Sequence, residues 1–453
     1  MSAFITFIVE FFVLLICCAF TLFVVKAKFW RRVLLISCFT LILSSLASLI
    51  TETKFFSIYV YPENLALKDF DITDYAVAKM RAEPSFDDRI ILINFGNLSR
   101  GQIGDLLNLI NEFKPKVIGL EALFNCRGGL RDTVNCPQLK DTLGNRNLSE
   151  AIRKAGNVVL ASELHTTNSY DPHTSTIADS LEASDFLFAE HAVQGFTNFP
   201  ISDESRVDIK MCRTFFPKAN LRGTIELNFA IQIAKKFNSK KVDDLLRRTS
   251  IDEIVNFRRN ISVLDKNGKY QALDYDELLS KSSADTIRFK NLLRDKIVIV
   301  GYLGASYGKG SPNDEVYTPL NPISAGRSLP DMFGIVLHAN IISMILDQDY
   351  INVLPEEIEI IVAFLSCLIH VVILMLLTSR FPKWFEILSV GLILAQLFIY
   401  SWLRINLFIL FGLKINLFLT ITSLAITTIS ISLSREIYHL SYKRLPVWLQ
   451  QKI

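Results

Sequence analysis

Hydrophobic residues are concentrated in long blocks at the two ends of the chain. Two blocks, residues 4–25 and 33–50, open the sequence, and three more follow at 358–377, 387–403 and 415–433. Each block approaches the roughly 20 residues that an α-helix needs to cross the hydrocarbon core of a bilayer. The pattern predicts two N-terminal and three C-terminal transmembrane helices.

Basic residues between these blocks predict the orientation of the spans. Lys and Arg accumulate in residues 26–32, at 380–383 and in the tail 435–453, and such residues favour the cytoplasmic side of short loops. All three segments fall on one side if the N-terminus lies outside. A cleaved signal peptide fits residues 1–25 less well because no basic region precedes the apolar run. A re-entrant or interfacial second block is the stronger alternative.

The chain is therefore predicted to have four parts. Residues 1–50 hold two spans with a basic cytoplasmic loop, and 51–356 form an extracytoplasmic domain. Residues 357–434 hold three spans, and 435–453 are a short basic cytoplasmic tail. Usage rich in Phe, Ile, Asn and Lys favours a bacterial inner membrane, with the large domain in the periplasm. The net charge of +3 is too small to indicate nucleic-acid binding.

The central segment alternates between strand and helix patterns. The run Ile90–Phe95, apolar except for Asn94, is typical of a strand buried on both faces. Apolar spacing of three and four residues then predicts a helix over 103–113. Strands at Val117–Leu120 and Asn157–Ala161 flank a second helix that Ser149 opens. This order predicts an α/β domain with a mostly parallel sheet and flanking helices.

The rest of the central segment gives weaker signals. Residues 225–233 alternate strictly, as a strand does, but their alanines and the following Ala-Lys-Lys-Phe favour a helix. We also expect a helix over 334–346. The remaining predicted strands are Val207–Met211, Ile261–Val263, Thr286–Phe289 and Ile297–Val300.

The positions of the cysteines and histidines indicate which disulfides and metal sites are possible. Cys126 and Cys136 flank a Gly-rich loop, so in an oxidising compartment they are a candidate disulfide, which leaves Cys212 free. The histidines of the external segment fit no common zinc spacing; they are His165, His173 and His191. We therefore expect no metal and no cofactor.

Six ordered motifs of the central segment resemble the second type of CHASE domain. They cover most of residues 85–346: Ile90–Ser99, Lys116–Phe124, Leu148–Ala161, Lys296–Gly301, Gly304–Pro319 (through Ser306, Asp314 and Thr318) and Phe333–Asn340. CHASE domains are extracellular sensory modules associated with cyclases and histidine kinases, and this type tends to precede three spans. The resemblance implies an extracytoplasmic sensor.

Three features depart from that family's pattern. Gly96 stands where the family often has Asp, and Glu121 replaces the Asp of the second-strand motif. Family members usually end in a cyclase, kinase or phosphatase domain, whereas only residues 434–453 follow the last predicted span. The resemblance therefore implies a sensor that works through a separate output protein.

Ligand-binding candidates lie where the predicted strands end. Open parallel sheets bind ligands at their carboxyl edge, which makes Ser306, Asp314 and Thr318 pocket candidates; their alternative role is turn hydrogen bonding. The stretch 301–310 looks like a phosphate cradle, but the Gly-Ser-Pro that follows Lys309 blocks a helix start. We do not expect nucleotide binding.

Two further candidates are single ionisable residues. Glu121 follows the second strand, where it either binds backbone amides of a neighbouring loop or faces a ligand. His338 lies on the predicted helix over 334–346, and a structural role is favoured over ligand contact. Since no nucleophile with an adjacent base stands out, we do not expect an enzyme.

Two functions compete at this point. In the first, the external domain binds a ligand or envelope partner, and the spans couple it to another membrane or cytoplasmic protein in trans. In the second, the chain is a structural or assembly subunit of an envelope complex, with the periplasmic domain as its docking surface. Both place the chain in the bilayer as a homo- or hetero-oligomer.

Overall fold

The computed structural model describes residues 27–51, 71–82, 84–126, 140–165, 177–200, 211–261, 270–279, 283–305, 315–321 and 330–444. Its contacts divide the chain into two compact units. One unit is Asp69–Ile351, and the other combines Met1–Lys68 with Asn352–Ile453.

The helices of the described residues are α1 (Lys28–Thr51), α2 (Ile72–Tyr75, continued by a π-helical turn over Ala76–Met80), α3 (Arg100–Glu112), α4 (Thr142–Ala155), α5 (Phe186–Ala189), α6 (Phe229–Phe237), α7 (Ser239–Leu246), α8 (Tyr275–Leu279), α9 (Ser283–Leu293), α10 (Gly334–Asp347), α11 (Glu356–Arg380), α12 (Phe385–Phe411) and α13 (Phe418–Arg444). The strands are β1 (Ile90–Asn94), β2 (Val117–Leu120), β3 (Val158–His165), β4 (Ile177–Ala178), β5 (Ser180–Glu182), β6 (Val193–Phe196), β7 (Thr214–Phe215), β8 (Lys218–Leu221), β9 (Thr224–Leu227), β10 (Glu253–Ile254), β11 (Gln271–Asp274), β12 (Ile297–Gly301), β13 (Glu315–Val316), β14 (Met332–Phe333), β15 (Asn352–Val353) and β16 (Leu413–Lys414).

A central, mostly parallel sheet organises the α/β unit, as the sequence predicts. Its strand order is β11-β1-β12-β2-β3, and β3 also pairs with β6 in parallel and with β5 antiparallel. Strand β12 comes late in the chain but lies between β1 and β2, with Ile297 opposite both Ile90 and Val117. The unit is therefore a mixed α/β fold.

Helices cover both faces of this sheet. Alternate strand residues such as Ile118 and Leu120 pack against α3, α4, α8 and α9 in one apolar core. The intervening Gly119 faces the other way, where a Cβ atom would lie 2.4 Å from Ile233 of α6. Burial on both faces explains why β2, β12 and the first four residues of β1 carry no polar side chain.

Side-chain caps mark the starts of several described helices, among them α3 and α4. Ser99 and Gln102 form a reciprocal capping box at α3. Helix α4 begins at Thr142 rather than at Ser149, because Asp141 accepts a hydrogen bond from the amide of Gly144. Ser149 lies inside α4, so its predicted place as a helix start was wrong.

Two other sequence predictions were wrong. Thr286–Phe289 is not a strand but part of α9, because Phe289 and Leu293 recur at helical spacing and are buried, whereas Ile287 is exposed. The predicted helix over 225–233 is split. Residues up to Leu227 form β9, and α6 starts only after Asn228, whose side chain accepts from the amide of Ala230.

Several predictions fall wholly or partly outside the described residues, namely the first apolar block at 4–25 and the strands over Val207–Met211 and Ile261–Val263. Strand β11 was not predicted. It is a short strand at one end of the sheet order, and among the described strands it pairs only with β1.

The other unit is helical. By length and composition, three of its described helices are able to cross a membrane: Lys28–Ala47 within α1, then α11 and α12. In α13 the described apolar stretch, Phe418–Ile431, is shorter. Helix α1 packs against α11 and α13, and β15 pairs in parallel with β16.

Candidate functional site

Glu121 lies at the carboxyl edge of the sheet, directly after β2. Its amide donates a hydrogen bond to the carbonyl of Val300, which extends the ladder between β2 and β12. The carboxylate occupies space left by two glycines. A Cβ atom on Gly301 would lie 3.0 Å from its Oε2, and one on Gly334 would lie 2.7 Å from its Oε1. The strand ends and the start of α10 therefore shape a place for this carboxylate.

His338 lies one turn into α10 and is fully buried. Its Nε2 is 3.4 Å from Oε1 of Glu121, and its ring packs against Phe199 and Phe229, with centroids 4.8 and 5.0 Å away. Within the described residues neither ring nitrogen has a hydrogen-bond partner. Since a buried imidazole without a partner is costly, this edge contains an unsatisfied polar group.

The two residues differ in access to solvent. The Glu121 side chain is 21% exposed, whereas that of His338 is 0% exposed. Glu121 is therefore the group that can contact a ligand, and His338 can position the carboxylate of Glu121. The carboxylate also lies at the first residue of α10, where the positive end of the helix dipole favours negative charge. The sequence named both residues separately, and the structure brings them together.

The neighbouring end of β1 is held by Asn94, a residue that the sequence analysis missed. Its Oδ1 accepts hydrogen bonds from the amides of Gly96 and Leu303, and its Nδ2 donates to the carbonyl of Gly304. Gly96 has φ of +51°, and an added Cβ would lie 3.0 Å from the carbonyl oxygen of Ala305. This left-handed, crowded turn explains glycine where the family often has Asp.

The other edge candidates do not join this pair in the described residues. Ser306 and Asp314 lie outside them. Thr318 is buried, and its hydroxyl and amide both donate to the carboxylate of Asp331 at 2.5 and 2.8 Å. Its hydroxyl also accepts a turn hydrogen bond from the amide of Leu320, and ligand contact by Thr318 stays a prediction. Nothing in the local sequence marks Asp331 as its partner.

The cysteines behave in two ways. Cys126 is disulfide-bonded; its partner lies outside the described residues, as does Cys136, so their pairing stays a prediction. Cys212 is free, as expected, and buried. Burial raises the pKa of its thiol to about 12, so it is not a reactive thiolate.

One histidine lies close to two glutamates, which its spacing along the chain did not indicate. His165, at the end of β3, lies with Glu163 and Glu182 so that one ligand atom of each is within 4.8 Å of the others. The spacing of the histidines from one another gave no sign of this group. The structure adds carboxylates from the same strand and from β5.

A cavity of about 220 Å³ opens beside the segment that precedes β1. Arg258, Arg259 and Asn256 are among its lining residues, together with Asp349. Burial and the charge of Arg258 lower the pKa of nearby Arg81 to about 10. Arg258 pairs with Asp349 at 2.6 Å and Asp347 also lines the cavity, so its walls carry both charges and it is a second place where a small ligand fits.

The titration of Asp331 should make the stability of the fold depend on pH. Burial raises its pKa to about 6, so the folded state holds a proton that the unfolded state releases. Stability should fall by about 3 kcal/mol as pH rises from about 4 to about 6. Urea unfolding of the full chain, followed by hydrogen exchange of β1, should show this slope in the wild type and not in Asp331→Asn. Equal slopes would contradict the assignment.

The comparisons with known proteins give one match. The sequence matches the CHASE2 domain over residues 65–376, roughly two thirds of the chain. No curated protein and no solved structure matches it. CHASE2 is an extracytoplasmic sensory domain, and the match spans the α/β unit with most of α11, a membrane-capable helix. This chain belongs to the CHASE2 family.

Proposed function

We propose that this chain is the sensing subunit of a membrane assembly. Its CHASE2 unit binds a small ligand at the carboxyl edge of the sheet, and the signal passes through the spans to a partner protein in trans. The observation that carries this proposal is the pair Glu121 and His338. A reachable carboxylate lies at the edge where parallel sheets bind ligands, beside a buried imidazole that has no hydrogen-bond partner among the described residues.

Helix α10 supplies a route for the signal. It starts at Gly334, beside the carboxylate of Glu121, and its 14 residues give a length of about 21 Å. Twelve of those residues are buried, so in this proposal a displacement of the first turn shifts the helix as a rigid body. Eight residues, Gln348–Pro355, connect it to α11. A displacement at its first turn therefore reaches the segment that leads into a candidate span.

The proposed membrane arrangement keeps five spans in a bacterial inner membrane. Three membrane-capable helices and an extracytoplasmic domain type support it. The basic segments 26–32 and 380–383 then lie in the cytoplasm, because positive residues are retained on that side. The α/β unit lies in the periplasm. We propose no enzymatic activity and no nucleic-acid partner.

Ligand binding is tested by substitution at the edge. Small molecules with a hydrogen-bond donor or a cationic group should raise the melting temperature of the full chain in detergent. Their affinity should fall about 10- to 100-fold in Glu121→Gln, because a hydrogen bond to a charged group is worth about 1.5–3 kcal/mol. Glu150→Gln is the matched control, since Glu150 is an exposed helix residue paired with Arg146.

One pattern of ligand affinities would contradict binding at Glu121. Ligands whose binding is unchanged in Glu121→Gln but lost in Arg258→Gln would place the site in the arginine-lined cavity. A chain that responds to no ligand but retains a partner would support the alternative function, a structural subunit of an envelope complex.

The partner in trans is tested by mild detergent extraction followed by mass spectrometry. The full chain should co-purify with a second membrane or cytoplasmic protein in a fixed ratio, because the sensing subunit requires an output. Recovery as a homo-oligomer alone would contradict both the sensing subunit and the assembly subunit.

A further inference from the structure

Three side chains with metal-ligating atoms meet where β3 pairs antiparallel with β5. Glu163 and His165 are two positions apart on β3, so both side chains lie on the same face. Glu182 of β5 is the direct cross-strand neighbour of Glu163. Two of the three ligands therefore come from β3 and one from β5. Their spacing along the chain does not indicate that they meet.

The distances suit a cation. One ligand atom from each residue lies within 4.8 Å of the other two, and Nε2 of His165 is 2.9 Å from Oε2 of Glu182. Ligand atoms of a tetrahedral zinc site lie about 3.4 Å apart. Small side-chain rotations therefore convert this group into a coordination shell.

Charge favours the same conclusion. Carboxylates directly opposite each other on neighbouring strands repel, and Glu163 and Glu182 occupy such a pair. A divalent cation bound between them offsets both negative charges, and the imidazole supplies a nitrogen ligand. An imidazole combined with two carboxylates suits zinc-type cations better than calcium, which prefers oxygen ligands alone.

Neighbouring asparagines hold the three ligands in place. Asn125 donates a hydrogen bond to Oε1 of Glu182 at 2.6 Å, which leaves Oε2 directed at His165. Between the two β3 ligands, the amide of Leu164 donates to Asn198, whose Nδ2 donates to the carbonyl of Leu164, at 2.7 and 3.0 Å. This two-sided clamp fixes the backbone that carries Glu163 and His165.

We propose that Glu163, His165 and Glu182 bind one divalent transition cation of the zinc type, with water completing the shell. The cation joins β5 to the end of β3 and so stabilises the antiparallel extension of the sheet. The site stands independently of ligand sensing at Glu121, which lies at the end of a different strand.

Calorimetry with Zn²⁺ tests the proposal on the full chain in detergent after removal of metals by a chelator. The wild type should bind one Zn²⁺ and gain thermal stability. His165→Ala, Glu163→Gln and Glu182→Gln should each weaken binding at least tenfold. His191→Ala is the matched control, because His191 also lies beside a glutamate, with Nε2 3.3 Å from Glu190, but has no third ligand in that group.

Two results would overturn the site. One is the absence of Zn²⁺ binding to the wild type, and the other is binding that survives unchanged in the three ligand variants. Glu182→Gln keeps the shape of the side chain, so it remains informative if His165→Ala does not fold. Unchanged Zn²⁺ affinity in Glu121→Gln would show that the metal and the ligand site are separate.

Discussion

Helix α10 is the element on which the rest of the α/β unit depends. It is buried along nearly its whole length, yet it carries three polar side chains that each require a partner. His338 faces Glu121, and Ser343 donates to Asp87 at 2.6 Å. Asn340 accepts from the amides of residues 258 and 259 and donates to the carbonyl of 259. The hydrogen bonds of Asn340 and Ser343 fix the rotation of the helix about its axis, whereas the ring of His338 has no hydrogen-bond partner among the described residues.

The same constraint joins the two edges of the sheet. Burial alone would raise the pKa of Asp87, but hydrogen bonds from Arg89 and Ser343 outweigh it and hold the pKa below its usual range. The far half of α10 is thereby tied to a charged group, while its first turn lies beside the carboxylate of Glu121. The helix is thus hydrogen-bonded to Asp87 in its second half, and in its first half it carries a histidine without a hydrogen-bond partner among the described residues. This difference suits a helix that responds to a ligand in a sensory domain.

Much of this fold follows from local pattern, and the failures have physical causes. The runs Ile90–Phe95 and Ile297–Val300 were predictable because burial on both faces demands uninterrupted apolar residues. Thr286–Phe289 looked like a strand because β-branched residues are adjacent there, but packing of Phe289 against the core decided for a helix. Glu121 and His338 were found through family motifs. The Glu182 partner of His165 was not, since cross-strand contacts leave no local signal.

Hydrogen exchange tests most directly whether α10 couples the ligand edge to the membrane. The full chain in lipid nanodiscs is compared as wild type, Glu121→Gln and the surface control Glu150→Gln. Loss of the charge at the first turn should speed exchange in the first half of α10 and in Gln348–Pro355, while the control matches the wild type. A change confined to the residues around 121 would contradict the account, because α10 would then transmit nothing.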